Sequence, residues 1–331
     1  MMQKRSELVD FMKGIAIMGV VLFHLISGYL DVHGLIKTAS NFGGAGVHVF
    51  LICSGFGLSL SFLNKSMTWL EFMKKRFIKI YIPYILIVLI SFFVPFMYVG
   101  AERVMALLSH VFLFKMFAPQ FELSFGPQFW YMSTIFQFYF VFCGLVKLKN
   151  RMGAKKFLMM SCGISLLWSI FTVLTGLYEE RIWSGFFLQY LWEFSIGMYL
   201  ADLFQKNKSP FVQLDFKKVA GVSGVSLILY MVMALYGGRL KNFNDVFSVL
   251  AFGGLCLLVY QIKGIKKIFC EISKFSFELF LVHILVFAVC TRLLNELLPN
   301  VFVCAVALGL SVAVAYLYHK IMKCALKRIA L

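Results

Sequence analysis

Ten apolar runs, each near the ~20 residues that a helix needs to cross a bilayer, limit what this 331-residue chain can become. They fall at 8–30, 42–62, 80–100, 128–148, 157–176, 185–204, 219–236, 244–262, 276–294 and 301–319. The expectation is an all-α polytopic membrane protein, a bundle of about ten transmembrane helices. Composition agrees, because 61% hydrophobic and 14% charged residues depart far from a soluble domain, in which about 25% are charged.

A net charge of +17 on its own suggests a nucleic-acid partner. Its distribution argues against one, since the basic residues cluster between the apolar runs. With a cytoplasmic N-terminus, the inside segments, among them Lys4 and Arg5, 65–79 and 206–218 with Lys208, hold 25 of the 32 Lys and Arg residues. That bias places both termini in the cytoplasm. The N-terminal run resembles a signal peptide but carries Lys13 and lacks a small-residue cleavage site, so it reads as a retained span. No internal repeat, soluble domain or long linker is evident, and 1–331 reads as a single integral-membrane domain. The longest non-spanning stretch, 101–127, contains VMALLSHVFLFKMF, expected as a short re-entrant or interfacial helix on the outer side. Eight cysteines without CxxC spacing read as small buried hydrophobes.

Chemistry concentrates first in DFMKGIAIMGVVLFH, residues 10–24. Each charge near the bilayer centre costs at least ~2.5 kcal/mol, so such residues are functional by default. Lys13 and His24, eleven apart, lie within about 20° on one helix face and roughly 16 Å apart along its axis. Asp10 shares that face. A second cluster, KKRFIKIYIP at 74–83, packs basic residues before a proline suited to a helix start. Arg76 and Lys79, three apart, are expected to face one way. Two readings stand for them: anchoring at anionic headgroups, or a phosphate site at the mouth of the bundle.

Five stretches in order carry a family resemblance. Lys13 to His24 fits a basic-x10-His pattern; GGAGVHVFLICSGFGL (43–58) is similar to a glycine-rich helix ending in Ser-Gly; KKRFIKIYIP resembles an RRxxRIxP segment; GPQFWYMSTIFQFYFV (126–141) resembles a Trp-containing helix ending in QFY; SKFSFELFLVHILV (273–286) resembles a late Ser-x-x-x-Tyr-Leu-x-His helix. Together they resemble the acyltransferase 3 family of bacterial membrane acyltransferases. The resemblance implies transfer of an acyl group, usually acetyl from cytoplasmic acetyl-CoA, to a hydroxyl of a surface polysaccharide or lipid-linked sugar at the bacterial inner membrane. No permanently bound cofactor, metal or nucleic acid is implied. Carried over by position, His24 becomes catalytic with Lys13 as its basic partner, and Arg76 and Lys79, with neighbouring Lys75, stand where the family has donor-handling cations. Lys replaces the commoner Arg at 13 and 79, which keeps charge but loses the bidentate fork. Ile135 and Phe136 stand where the best-known subgroup has glutamates, and Gln128 where it has histidine.

The chemistry is consistent with those roles. A thiol with a pKa near ~8.5 leaves a thioester unaided, whereas an attacking hydroxyl has to lose a proton, and neutral imidazole suits that task. Glu193, in mid-span, is the best substitute for the missing acids and is expected to pair with a histidine or lysine. His48, Ser54 and His283 are candidates to line the site, with Glu278 five residues before His283. Trp130, Tyr131, Gln137 and Tyr139 could form a sugar platform or an aromatic belt. A transporter or flippase with histidine proton relays is the rival reading, and the absence of matched broken helices weighs against it.

Overall fold

Lipid offers the backbone no hydrogen-bond partners, so an apolar chain satisfies itself by coiling. The computed structural model describes residues 6–98, 100–207 and 215–329, and among them there is no β-strand. Lys4, Arg5 and Lys208 of the expected basic segments lie outside the described residues. The first helix, α1, is Glu7–Gly28, and the glycine-rich α2 is Gly46–Asn64. A capping box starts α3, Trp69–Arg76: the Thr68 hydroxyl accepts from the Glu71 N–H while the Glu71 carboxylate accepts from that of Thr68. After one π-helical turn, Phe77–Tyr81, the chain continues as α4, Ile82–Phe93.

Residues 101–127 hold one short helix, α5 (Arg103–Val111), followed by 3-10 turns. The turns fold inward. His110 and Lys115 are fully buried, His110 between the Tyr84 hydroxyl (2.8 Å) and Ser124 Oγ (2.9 Å), and the Lys115 ammonium donates to the carbonyls of Ser124 and Gly126.

Two long helices, α6 (Trp130–Met152) and α7 (Ala154–Thr175), precede α8 (Leu191–Asn207). The polar stripe of α7, made of Ser161, Ser165, Ser169 and Thr172, is buried while Leu166, Leu167 and Leu174 face outward. This is the inside-out pattern of a lipid-facing helix, in which small polar residues mediate helix contacts. The stripe is bonded to the chain at and before α8: Ser161 to Ser195, Ser165 to the Leu188 carbonyl and Ser169 to Gln189. Then come α9 (Phe216–Tyr236), which buries Ser223 and Ser226, α10 (Asp245–Val259), α11 (Lys263–Ile272), α12 (Ser276–Leu294) and α13 (Asn300–Ile329).

Eight helical stretches among the described residues are long and apolar enough to cross a membrane, against the ten expected. The two that fall short are α8, with 17 residues, and α10, with 15. At 1.5 Å per residue they reach about 25 and 22 Å, less than the ~30 Å hydrocarbon. In α8 the first apolar residues of the expected 185–204 span are spent on turns, with Gln189 and Tyr190 bonded three residues back to Phe186 and Phe187. Protein surrounds this helix instead of lipid. A Cβ at Gly55 of α2 would stand 2.1 Å from the Phe194 carbonyl oxygen, and one at Gly197 of α8 would stand 2.0 Å from that of Ile52. Only hydrogen at both positions lets the two backbones meet.

All eight cysteines are free. Cys53, Cys256, Cys290 and Cys304 are buried, but Cys162 and Cys324 are exposed on outward helix faces and depart from the expected burial.

Candidate active site

The face of α1 that carries Lys13 and His24 turns inward, toward α2, α6 and α12. A cavity of about 360 Å³ lies there, within the ~300–1,000 Å³ range of small-molecule sites. Its polar lining comes from Lys13, Ser54, Arg76, Tyr131, Tyr139 and Ser276, and Val20, Met132 and Phe280 are among its apolar walls. The lining on α1 runs from Lys13 to Val20, one turn short of His24. On α12 it runs from Ser276 to Phe280, one turn short of His283.

Beyond that apolar end the two histidines meet. His283, fully buried, brings Nε2 to 3.1 Å from His24 Nδ1, and its own Nδ1 is 3.0 Å from the Leu279 carbonyl oxygen. The His24 ring is partly buried and lies 5.1 Å from that of His283, centroid to centroid. His24 therefore faces a neighbouring helix of the bundle.

At the other end, beside Lys13, Arg76 is the one cation of the 74–79 segment that lines the cavity. Pro83 has no N–H to offer the carbonyl four residues back, and its ring crowds that carbonyl, so the helix widens and Ile82 N–H bonds instead to Phe77, five residues back. The extra residue in the turn rotates Lys79 off the face of Arg76. Ile80 lines the cavity with Arg76, while Lys79 is exposed. The expectation that Arg76 and Lys79 face one way is thus corrected. Lys75 is exposed as well, its ammonium 3.0 Å from Met67 Sδ. The Arg76 guanidinium packs over Phe72 and Tyr139, 5.5 and 6.0 Å from their centroids. Its Nε is buried and has no hydrogen-bond partner among the described residues.

Glu193 and His48 form a separate buried cluster. His48 Nδ1 is 2.8 Å from Glu193 Oε1, and His48 Nε2 is 3.6 Å from Asp245 Oδ1 at the start of α10. The three residues offer one ligand atom each within 4.8 Å, the donor set that could hold a metal ion. However, the two ring nitrogens point to different carboxylates. That geometry suits an imidazolium shared between two acids better than one nitrogen converging with both on an ion. Neither His48 nor Glu193 lines the cavity.

The remaining candidates separate. Tyr139 and Ser54 line the cavity. Trp130 lies outside it, with the Arg181 guanidinium over its ring at 4.9 Å and the Tyr190 ring tilted against it, 6.1 Å between centroids. Gln137 Oε1 accepts from the Phe187 N–H, which ties α6 to the loop before α8. Gln128 is buried, with neither amide atom bonded among the described residues. Glu278 turns away from His283 to His319 Nδ1, at 2.9 Å. Sequence reading missed His319 and Asp245, and Asp245 had a signal, an acid at the head of an apolar run.

Residues 7–320 match the family model described as an acyltransferase domain. The chain belongs to the acyltransferase 3 family. No curated protein and no solved structure matches it. Membership makes this a membrane acyltransferase, and within it the family's basic-x10-His helix is the one whose two polar positions stand at opposite ends of the cavity region. The Ser-Gly helix, the basic segment and the Trp-containing helix each supply a polar wall residue, namely Ser54, Arg76, and Tyr131 with Tyr139.

Proposed function

We propose that this acyltransferase moves an acyl group, acetyl in the simplest case, from acyl-CoA to a hydroxyl of a surface polysaccharide or lipid-linked sugar. The observation that carries the reading is the cavity between Lys13 and Arg76 at one end and the turn beneath His24 and His283 at the other. Coenzyme A is polyanionic at its nucleotide end and slender along its pantetheine arm. Two cations, one with an unpartnered buried N–H, match the first, and a largely apolar passage matches the second.

His24 serves as the base. The acceptor oxygen attacks the thioester carbonyl, its proton passes to the imidazole, and the carbon–sulfur bond breaks to release the CoA thiolate. Lys13, about 16 Å from His24 along the helix, holds the donor and does not touch the reacting atoms. The basic segments and both termini face the cytoplasm of the bacterial cell, where the donor is made, and the acceptor approaches from the opposite side. Membrane lipids are its other partners, and no resident cofactor is required.

The test is release of free thiol from acetyl-CoA by the purified protein with a hydroxyl acceptor, together with the ester content of surface glycans with and without the gene. A glycan or anion transporter would consume no acyl-CoA, and that result would end the proposal.

A further inference from the structure

We infer that His283 is a positioning residue that fixes which nitrogen of His24 carries the proton. The inference rests on the acyl-transfer reading for its consequence but not for its geometry. A carbonyl oxygen only accepts, so the 3.0 Å contact of His283 Nδ1 with the Leu279 carbonyl places a proton on Nδ1. Among the described residues no carboxylate bonds His283, and the nearest acid along α12, Glu278, turns to His319. A charged ring without a counter-ion in a fully buried site is costly, so His283 is neutral and its Nε2 holds a lone pair. That lone pair faces His24 Nδ1 at 3.1 Å. Two acceptors cannot bond, and so His24 Nδ1 carries the hydrogen.

The consequence falls on the far side of the ring. With Nδ1 protonated, His24 Nε2 is left with its lone pair and is the atom that takes the acceptor's proton. When it does, the Nδ1–H bond to His283 becomes charge-assisted and stronger, so the bond favours the protonated ring as it forms. A backbone carbonyl thereby sets the state of a side chain two helices' contact away, through one imidazole.

The experiment replaces His283 by residues that differ in what they offer Nδ1 of His24. In His283→Gln the amide oxygen can accept, in His283→Lys the ammonium only donates, and in His283→Phe the ring does neither. The expected kcat is within about tenfold of wild type for Gln and 10²- to 10⁴-fold lower for Lys and Phe, with the KM for acetyl-CoA unchanged in all three. Nitrogen-15 spectra of labelled histidine, assigned with a His24→Gln control, read the tautomer without needing turnover. They should show Nδ1–H at His24 in wild type and Gln, and its loss in Lys and Phe. The same spectra report whether each variant is folded. Nδ1–H persisting in Phe would give the task to another acceptor, such as the Val20 carbonyl, and overturn the inference. Equal activity in Gln, Lys and Phe would also overturn it. Absence of acetyl-CoA turnover in wild type would instead remove the proposed function and leave the tautomer assignment standing.

Discussion

Arg76 and Lys79 leave their helix on different sides. The π-helical turn that begins at Phe77 carries the first into the cavity and the second outward. Arg76→Ala should therefore raise the KM for acetyl-CoA by roughly 10- to 100-fold, the equivalent of about 1.5–3 kcal/mol for a hydrogen bond from a charged group. Lys79→Ala should stay within about 0.5 kcal/mol of wild type. Steady-state kinetics on the two variants side by side decide this, and equal effects would return the segment to simple anchoring.

His24→Ala should lower kcat by about 10²- to 10⁴-fold, the usual contribution of a general base. Its insertion and yield should match wild type, because the ring is only partly buried. Thiol release by purified protein measures the loss. A variant that turned over normally would remove His24 from the chemistry.

At Gly55 and Gly197 the methyl of alanine would meet a backbone carbonyl oxygen at 2.1 and 2.0 Å. Gly55→Ala should destabilise the protein by about 1–3 kcal/mol, the cost of overpacking. The displacement would also loosen the His48 to Glu193 bond that joins α2 and α8. Thermal unfolding in detergent reads the first effect. An unshifted midpoint would mean that α2 and α8 do not approach this closely.

The inward-folded segment before α6 should loosen in acid. Burial, with the Lys115 ammonium adding to it, holds His110 well below its ordinary 6.5, and burial holds Lys115 well below its usual range. Tyr84, Ser124 and Lys115 surround His110, with Glu122 and Arg181 beyond. The open segment binds a proton on His110 below pH 6.5 that the folded one refuses, so stability falls as pH drops through that value and is flat in this group above it. Lys115 acts in the same direction. Hydrogen exchange across residues 101–126, compared at about pH 7.5 and about pH 5 and corrected for intrinsic rates, should show faster opening in acid. His110→Gln should flatten part of the difference, and identical protection at both values would contradict the assignment.

Much of the fold was legible because hydropathy needs no partner to be read: a run of apolar residues announces its own solvent. Where a helix begins is less visible, and the turns at Phe186–Tyr190 made α8 look longer than it is. Pairings between helices are least visible of all. His24 and His283 stood out separately as polar groups in oil, but nothing in a single chain says that positions 259 apart touch. Glu278 could not have served His283, since five residues turn a helix about 500°, which leaves the two about 140° apart. The rotation of Lys79 has a cue in Pro83, since a proline that suits a helix start also widens the turn before it when the helix runs on.

The shortness of α10 has a bearing on the membrane itself. A cylinder about 22 Å long set into oil ~30 Å deep forces the leaflets to pinch toward it or lets water sink along it. Asp245, partly exposed, sits at the start of that short helix. On the proposed reading, a hydrophilic acceptor arriving beside α10 would have several ångströms less hydrocarbon to cross than along the longer helices.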